Sequence, residues 1–62
     1  MERRKTGQKC RIGGDYKFDG YVDPPEDPPP PPTPDEMVIP MEEGETFPPI
    51  KSTDLAAWWL LE

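Results

Sequence analysis

Cys10 sits between Lys9 and Arg11, and two positive charges beside a thiol favour the thiolate that nucleophilic and redox chemistry needs. It is the one cysteine in 62 residues, and the chain has no histidine. No near-neutral base therefore stands ready to activate Cys10 or Ser52. Carboxylates are plentiful, 13 Asp and Glu against 7 Lys and Arg, but so small a domain has little room for the pocket that would raise a carboxylate's pKa. No catalytic constellation emerges, and the chain reads as non-enzymatic. Cys10 suits the plainer part of a small buried hydrophobe on a strand.

Metal chemistry is equally short of ligands. Structural zinc takes about four Cys or His side chains, and this chain offers one of either kind, so no metal and no cofactor is expected. A lone cysteine cannot close an internal disulfide. No apolar run approaches the roughly 18 residues of a spanning helix, and no signal peptide opens the sequence. A cytoplasmic location is the expectation.

Binding chemistry has more to work with. Prolines at PxxP spacing occur at Pro28–Pro31, Pro29–Pro32 and Pro31–Pro34, and a preformed polyproline II helix docks into aromatic grooves at low entropy cost. The flanks are Asp23, Glu26, Asp27, Asp35 and Glu36, where SH3-type ligands usually carry a base, so a stiff, solubilising loop is the plainer reading. Aromatic residues dominate binding hot spots. Phe47, Pro48, Pro49 and whichever of Trp58 and Trp59 points outward form the candidate partner-binding patch, and Trp59 is taken as the outward one.

The elements that would position these residues are short strands. Net charge is −6, and 32% of residues are charged, which leans toward disorder on composition alone. All the hydrophobic residues lie outside 23–36, however, so the expected object is one small folded domain interrupted by a solvated loop. Residues 1–5 read as a flexible basic tail that frays, and residues 6–62 as a single β domain with a proline-rich loop at 23–36. Cys10 and Ile12 alternate with Lys9 and Arg11, as on a short half-buried strand. Gly13-Gly14 is a turn signal. Asp15–Val22 reads as a strand with Tyr16 and Phe18 on one face, and Gly20 marks a bulge that re-aims Tyr21 and Val22.

Proline in "DPPEDPPPPPTPDE" excludes helix and central strand and leaves polyproline II. "MVIPM" at 37–41 resumes strand character, demoted by Pro40 to an edge. Thr46-Phe47 could start a short strand that Pro48-Pro49 stops. "LAAWWLL" at 55–61 has helix formers and possible caps in Ser52, Thr53 and Asp54. Few residues remain for a helix, and a strand over 57–61 is favoured. One indole then enters the core and its neighbour covers the outer face. The fold class expected is all-β: a small antiparallel sheet or partly open barrel of 3–5 short strands.

"TGQKCRIGGDYKF" at 6–18, "MVIPMEEGETFPP" at 37–49 and the terminal "AWWLL" together resemble the small bacterial proteins of the YjzC-like type. Their pattern runs Thr-Gly-x-x-Cys/Ala, a glycine turn, an aromatic strand, a polar loop, Gly-x-x-Phe-Pro-Pro and a Trp strand. The resemblance implies a compact antiparallel β domain and no established activity. It also implies that some relatives carry cysteines after Phe-Pro-Pro in a ribbon-like arrangement suited to zinc. Here Ile50 follows Pro49, and those cysteines are absent.

Charge is unevenly spread. Arg3, Arg4, Lys5, Lys9 and Arg11 crowd the start, and the middle of the chain is acidic. The leading expectation is a protein–protein interaction module with an exposed aromatic and acidic surface. The alternatives are a nucleic-acid-associated protein using those five bases as an arm, or an acidic inhibitor or DNA mimic. Membrane partners are not expected. A homodimer is conceivable, paired through the strand near Pro40 or through the terminal strand.

Overall fold

Alternation over Asp15–Asp19 and over the two tryptophans produces the two central strands of the sheet. The computed structural model describes residues 2–62. It contains β1 (Arg3–Lys5), β2 (Gly14–Tyr21), β3 (Val38–Met41) and β4 (Ala57–Leu61), with a 3-10 turn at Pro34–Glu36 before β3. The four strands form one open antiparallel sheet in the order β1-β4-β2-β3. The expected all-β class is what forms, as an open sheet.

β1 corrects the expectation of a fraying tail for residues 3–5; Met1 lies outside the described residues. Arg3, Arg4 and Lys5 pair with Leu60, Trp59 and Trp58. The ladder is closed at both ends by Leu61 N–H to the Glu2 carbonyl at 2.9 Å and Thr6 N–H to the Ala57 carbonyl at 3.0 Å. A strand of three charged residues can form because β4 has a free edge whose backbone groups need partners.

Both edges of the sheet are blunted. The bonds at Glu2 and Thr6 turn Arg4 inward by alternation and leave the backbone of Arg3 and Lys5 facing out. Gln8 takes both groups of Lys5, accepting from Lys5 N–H through its side chain at 2.9 Å and donating its own N–H to the Lys5 carbonyl at 3.0 Å. On the opposite edge, Phe18 N–H donates to the Met37 carbonyl at 2.7 Å. Alternation from that bond points Val38 and Pro40 outward, and Pro40 has no N–H to offer. The terminal strand β4 lies between β1 and β2, so the expectation that it could serve as a dimer edge is corrected.

Gly20, at φ +101°, interrupts the β2–β4 register between Phe18 and Tyr21. Such a bulge costs glycine nothing at positive φ. It brings Phe18 and Tyr21 to the same face, with ring centroids 5.0 Å apart.

One face of the sheet is covered by loops and the other is not. Tyr16, Met41, Ala57 and Trp59 are buried on the covered face, together with Cys10, Phe47 and Ile50 from the loops. Residues 7–10 and 44–47 bind each other over it. Phe47 N–H donates to the Gln8 carbonyl, Gly7 N–H to the Phe47 carbonyl, and Cys10 N–H to the Glu45 carbonyl. Only the Lys9–Thr46 bridge represents the strand expected around Cys10 and Ile12. Ile12 is instead 51% exposed. Its carbonyl turns inward to accept from the Tyr16 hydroxyl and from the Cys10 thiol, which points its side chain to solvent. Cys10 itself is buried.

Candidate binding surface

β4 decides which aromatic groups a partner could reach. Trp59 stands opposite Phe18 on one side and Arg4 on the other, which fixes it on the covered face at 1% exposure. Its indole N–H donates to the Pro48 carbonyl at 3.1 Å. The Thr6 hydroxyl donates to the same carbonyl at 2.9 Å, and Ala57 N–H donates to the Thr6 oxygen at 2.9 Å. This network pins the Phe47-Pro48-Pro49 segment over the indole. Phe47 is 1% exposed and meets Tyr16 edge-on at 4.8 Å.

The expected patch is therefore corrected. Phe47 and Trp59 are core residues; Pro48 is half-buried and Pro49 exposed. Trp58 is the outward tryptophan, because pairing with Lys5 places it on the uncovered face. It is half-buried there beneath charged neighbours. The Arg3 guanidinium lies 4.1 Å from its ring centroid and the Lys5 ammonium 5.9 Å.

The proline-rich segment builds a surface that the sequence pattern did not disclose. Its middle is tied to the sheet by Tyr21, whose hydroxyl donates to the Pro30 carbonyl at 2.6 Å. The Thr53 hydroxyl donates to the Tyr21 oxygen at 3.4 Å. Its far end is tied by Glu36. That carboxylate accepts from Thr33 N–H at 2.8 Å, from Ser52 N–H at 2.9 Å and from the Ser52 hydroxyl at 2.6 Å. Bonding to Ser52, then to Thr33, holds the Glu36 carboxyl down at about 2.

Two clefts result. The wider encloses about 460 Å³ between Phe18, Gly20, Tyr21, Met37 and the prolines at 29–32. The narrower encloses about 250 Å³ and is lined by Ile39, Pro48, Pro49, Ile50 and Trp59, with Asp35, Glu36 and Lys51 at its polar margin. Of the four residues expected at the site, Pro48, Pro49 and Trp59 line the narrower cleft, and Phe47 lines neither. Phe18, Tyr21 and Met37 were missed. The signal that could have found them is Gly20, because the bulge it permits aims Tyr21 at the prolines.

Chemically these clefts suit apolar contact. Ser52 has a carboxylate partner, but a carboxyl held at about 2 is a poor proton acceptor. Among the described residues, no group of three or more His, Cys, Asp or Glu side chains could hold a metal ion. No helix among them is long and apolar enough to cross a membrane. No protein-family model, no curated protein and no solved structure matches the chain.

Proposed function

We propose that this chain is a non-enzymatic protein-interaction module whose binding surface is the pair of apolar clefts walled by the proline-rich segment. The observation that carries this reading is the wider cleft. Its walls are aromatic, aliphatic and proline groups, and Met37 on its rim is 42% exposed. Its volume falls within the roughly 300–1,000 Å³ of sites that hold ligands. Prolines held in place by Tyr21 and Glu36 present this wall with little ordering left to do on binding. The likeness to YjzC-like proteins belongs to the same proposal and adds no activity to it.

The nucleic-acid alternative draws less support. Arg3 is engaged by Trp58 and Asp19, Arg4 by Glu2 at 3.2 Å, and Lys5 lies 5.9 Å from the Trp58 ring centroid, which leaves Lys9 and Arg11 of the five-base arm. A homodimer through β3 would have to pair along an edge interrupted by Pro40.

The test compares wild-type bait with Met37→Glu in capture from native lysate. Met37 is exposed, so the substitution leaves the core intact. A partner retained by the wild type and lost by the variant supports the reading. Equal retention of the same partner places binding elsewhere and overturns it.

A further inference from the structure

From charge and spacing at these clefts, and resting on the protein-binding reading above, we infer the chemistry of the partner: a cationic, extended peptide segment that carries apolar side chains at alternate positions between Lys or Arg flanks.

Spacing supplies the first half. Met37 lines the wider cleft and Ile39 the narrower. Two residues along an extended strand span about 7 Å. An extended ligand lying beside this edge repeats the same interval, so its side chains at i and i+2 match the two clefts. The edge also leaves groups for its backbone. Val38 faces outward with both amide groups by the alternation set at Phe18–Met37, and Pro40 with its carbonyl alone. One donor and two acceptors fit a short stretch of added strand, enough to set direction and register without inviting a continuous sheet.

Charge supplies the second half. Glu26, Asp27 and Asp35 are all exposed on the segment that walls the wider cleft. Among the described residues, none of these three carboxylates is paired with a cation. Among the described residues, no Lys or Arg lines the wider cleft and only Lys51 borders the narrower. Apolar clefts with unneutralised acids on the segment that walls them select an apolar anchor with basic flanks and disfavour acidic ones, and the acidic field speeds encounter with a basic segment.

The experiment uses the full chain, labelled with nitrogen-15, and three synthetic nonapeptides. Each has a Leu-Ser-Phe centre, flanked on both sides by Lys, by Ser or by Glu. Amide shifts of Gly20, Tyr21, Met37 and Ile39 report the clefts. The Lys-flanked peptide should shift them and bind roughly tenfold tighter than the Ser-flanked one, because several screened charge pairs of a few tenths each add to about that factor. The advantage should shrink as salt shortens the Debye length. Glu26→Lys with Asp27→Lys and Asp35→Lys should transfer the preference to the Glu-flanked peptide.

Equal binding of all three peptides at these amides leaves the protein-binding reading standing and overturns the cationic partner. Tight binding that shifts only residues outside the clefts overturns both. Absence of any shift with all three peptides also counts against both.

Discussion

Arg3 and Asp19 reach across β4 from opposite sides and meet over the ring of Trp58. The Arg3 Nε donates to the Asp19 carboxylate at 2.7 Å while its guanidinium covers the indole at 4.1 Å. Each side chain is only partly shielded, at 45% and 39% exposure, so solvent screens the pair. An exposed ion pair contributes about 0–1 kcal/mol and an exposed cation–π contact about 0.5–1 kcal/mol. Arg3→Ala should therefore cost about 1 kcal/mol in urea unfolding. Quenching of tryptophan emission by iodide should rise, since Trp58 loses its cover. Unchanged quenching would show that Arg3 does not sit over the ring in solution.

The adjacent tryptophans should behave very differently. Trp59 is fully enclosed and hydrogen-bonded to Pro48, and removing a buried Trp costs about 3–5 kcal/mol. That is the whole stability, about 3–5 kcal/mol, that a core of this size supplies. Trp59→Ala should unfold the chain, seen as collapsed amide dispersion. Trp58→Ala loses half-buried contact and the Arg3 stack, and should keep a dispersed spectrum. The reverse result would mean that β4 runs in the opposite parity.

That parity marks where the sequence stopped being legible. The strand over 57–61 and the bulge at Gly20 could be read from residue type, because alternation and a lone glycine leave local signals. The edge position of Pro40 could be read for the same reason. Which face of β4 is covered could not be read, since it depends on where the loops carrying Phe47 and Ile50 cross over. Trp59 was therefore placed outward when its neighbour is. β1 was invisible because Arg3, Arg4 and Lys5 have no apolar alternation; the free edge of β4 creates that strand. The wider cleft was hidden because a proline run reads as solvated until Tyr21 and Glu36 are seen to bind it.

Tyr16 sets the alkaline limit. Burial, and then its contacts with Cys10, push its hydroxyl from the ordinary 10.0 up to about 12, and the hydroxyl donates to the Ile12 carbonyl. A pKa raised in the fold favours the protonated form there. The associated stability is complete below pH 10 and is lost as pH climbs from 10 toward 12. Urea midpoints should hold steady to pH 10 and then fall. Tyr16→Phe should lower the plateau by about 1 kcal/mol through the lost hydrogen bond and flatten the alkaline decline. A decline equally steep in the variant would assign it to other groups.

At the acid end, the sensitive contact is the one that anchors the proline wall. Glu36 titrates at about 2 instead of 4.5 because Ser52 and Thr33 donate to its ionised form. A pKa lowered in the fold means that this anchoring is fully present above pH 4.5 and fades as pH falls toward 2. The carboxylate is exposed, so the effect should be local: amide resonances of Ser52 and Thr33 should shift with a midpoint near 2, while the Trp59 indole N–H stays in place. Glu36→Ala should give the same local change at neutral pH and weaken any ligand that uses the wider cleft, since Tyr21 alone then holds the wall. If the Glu36 carboxyl titrates near 4.5, Ser52 does not hold it in solution, and the proline segment is too loose to be one wall of a binding site.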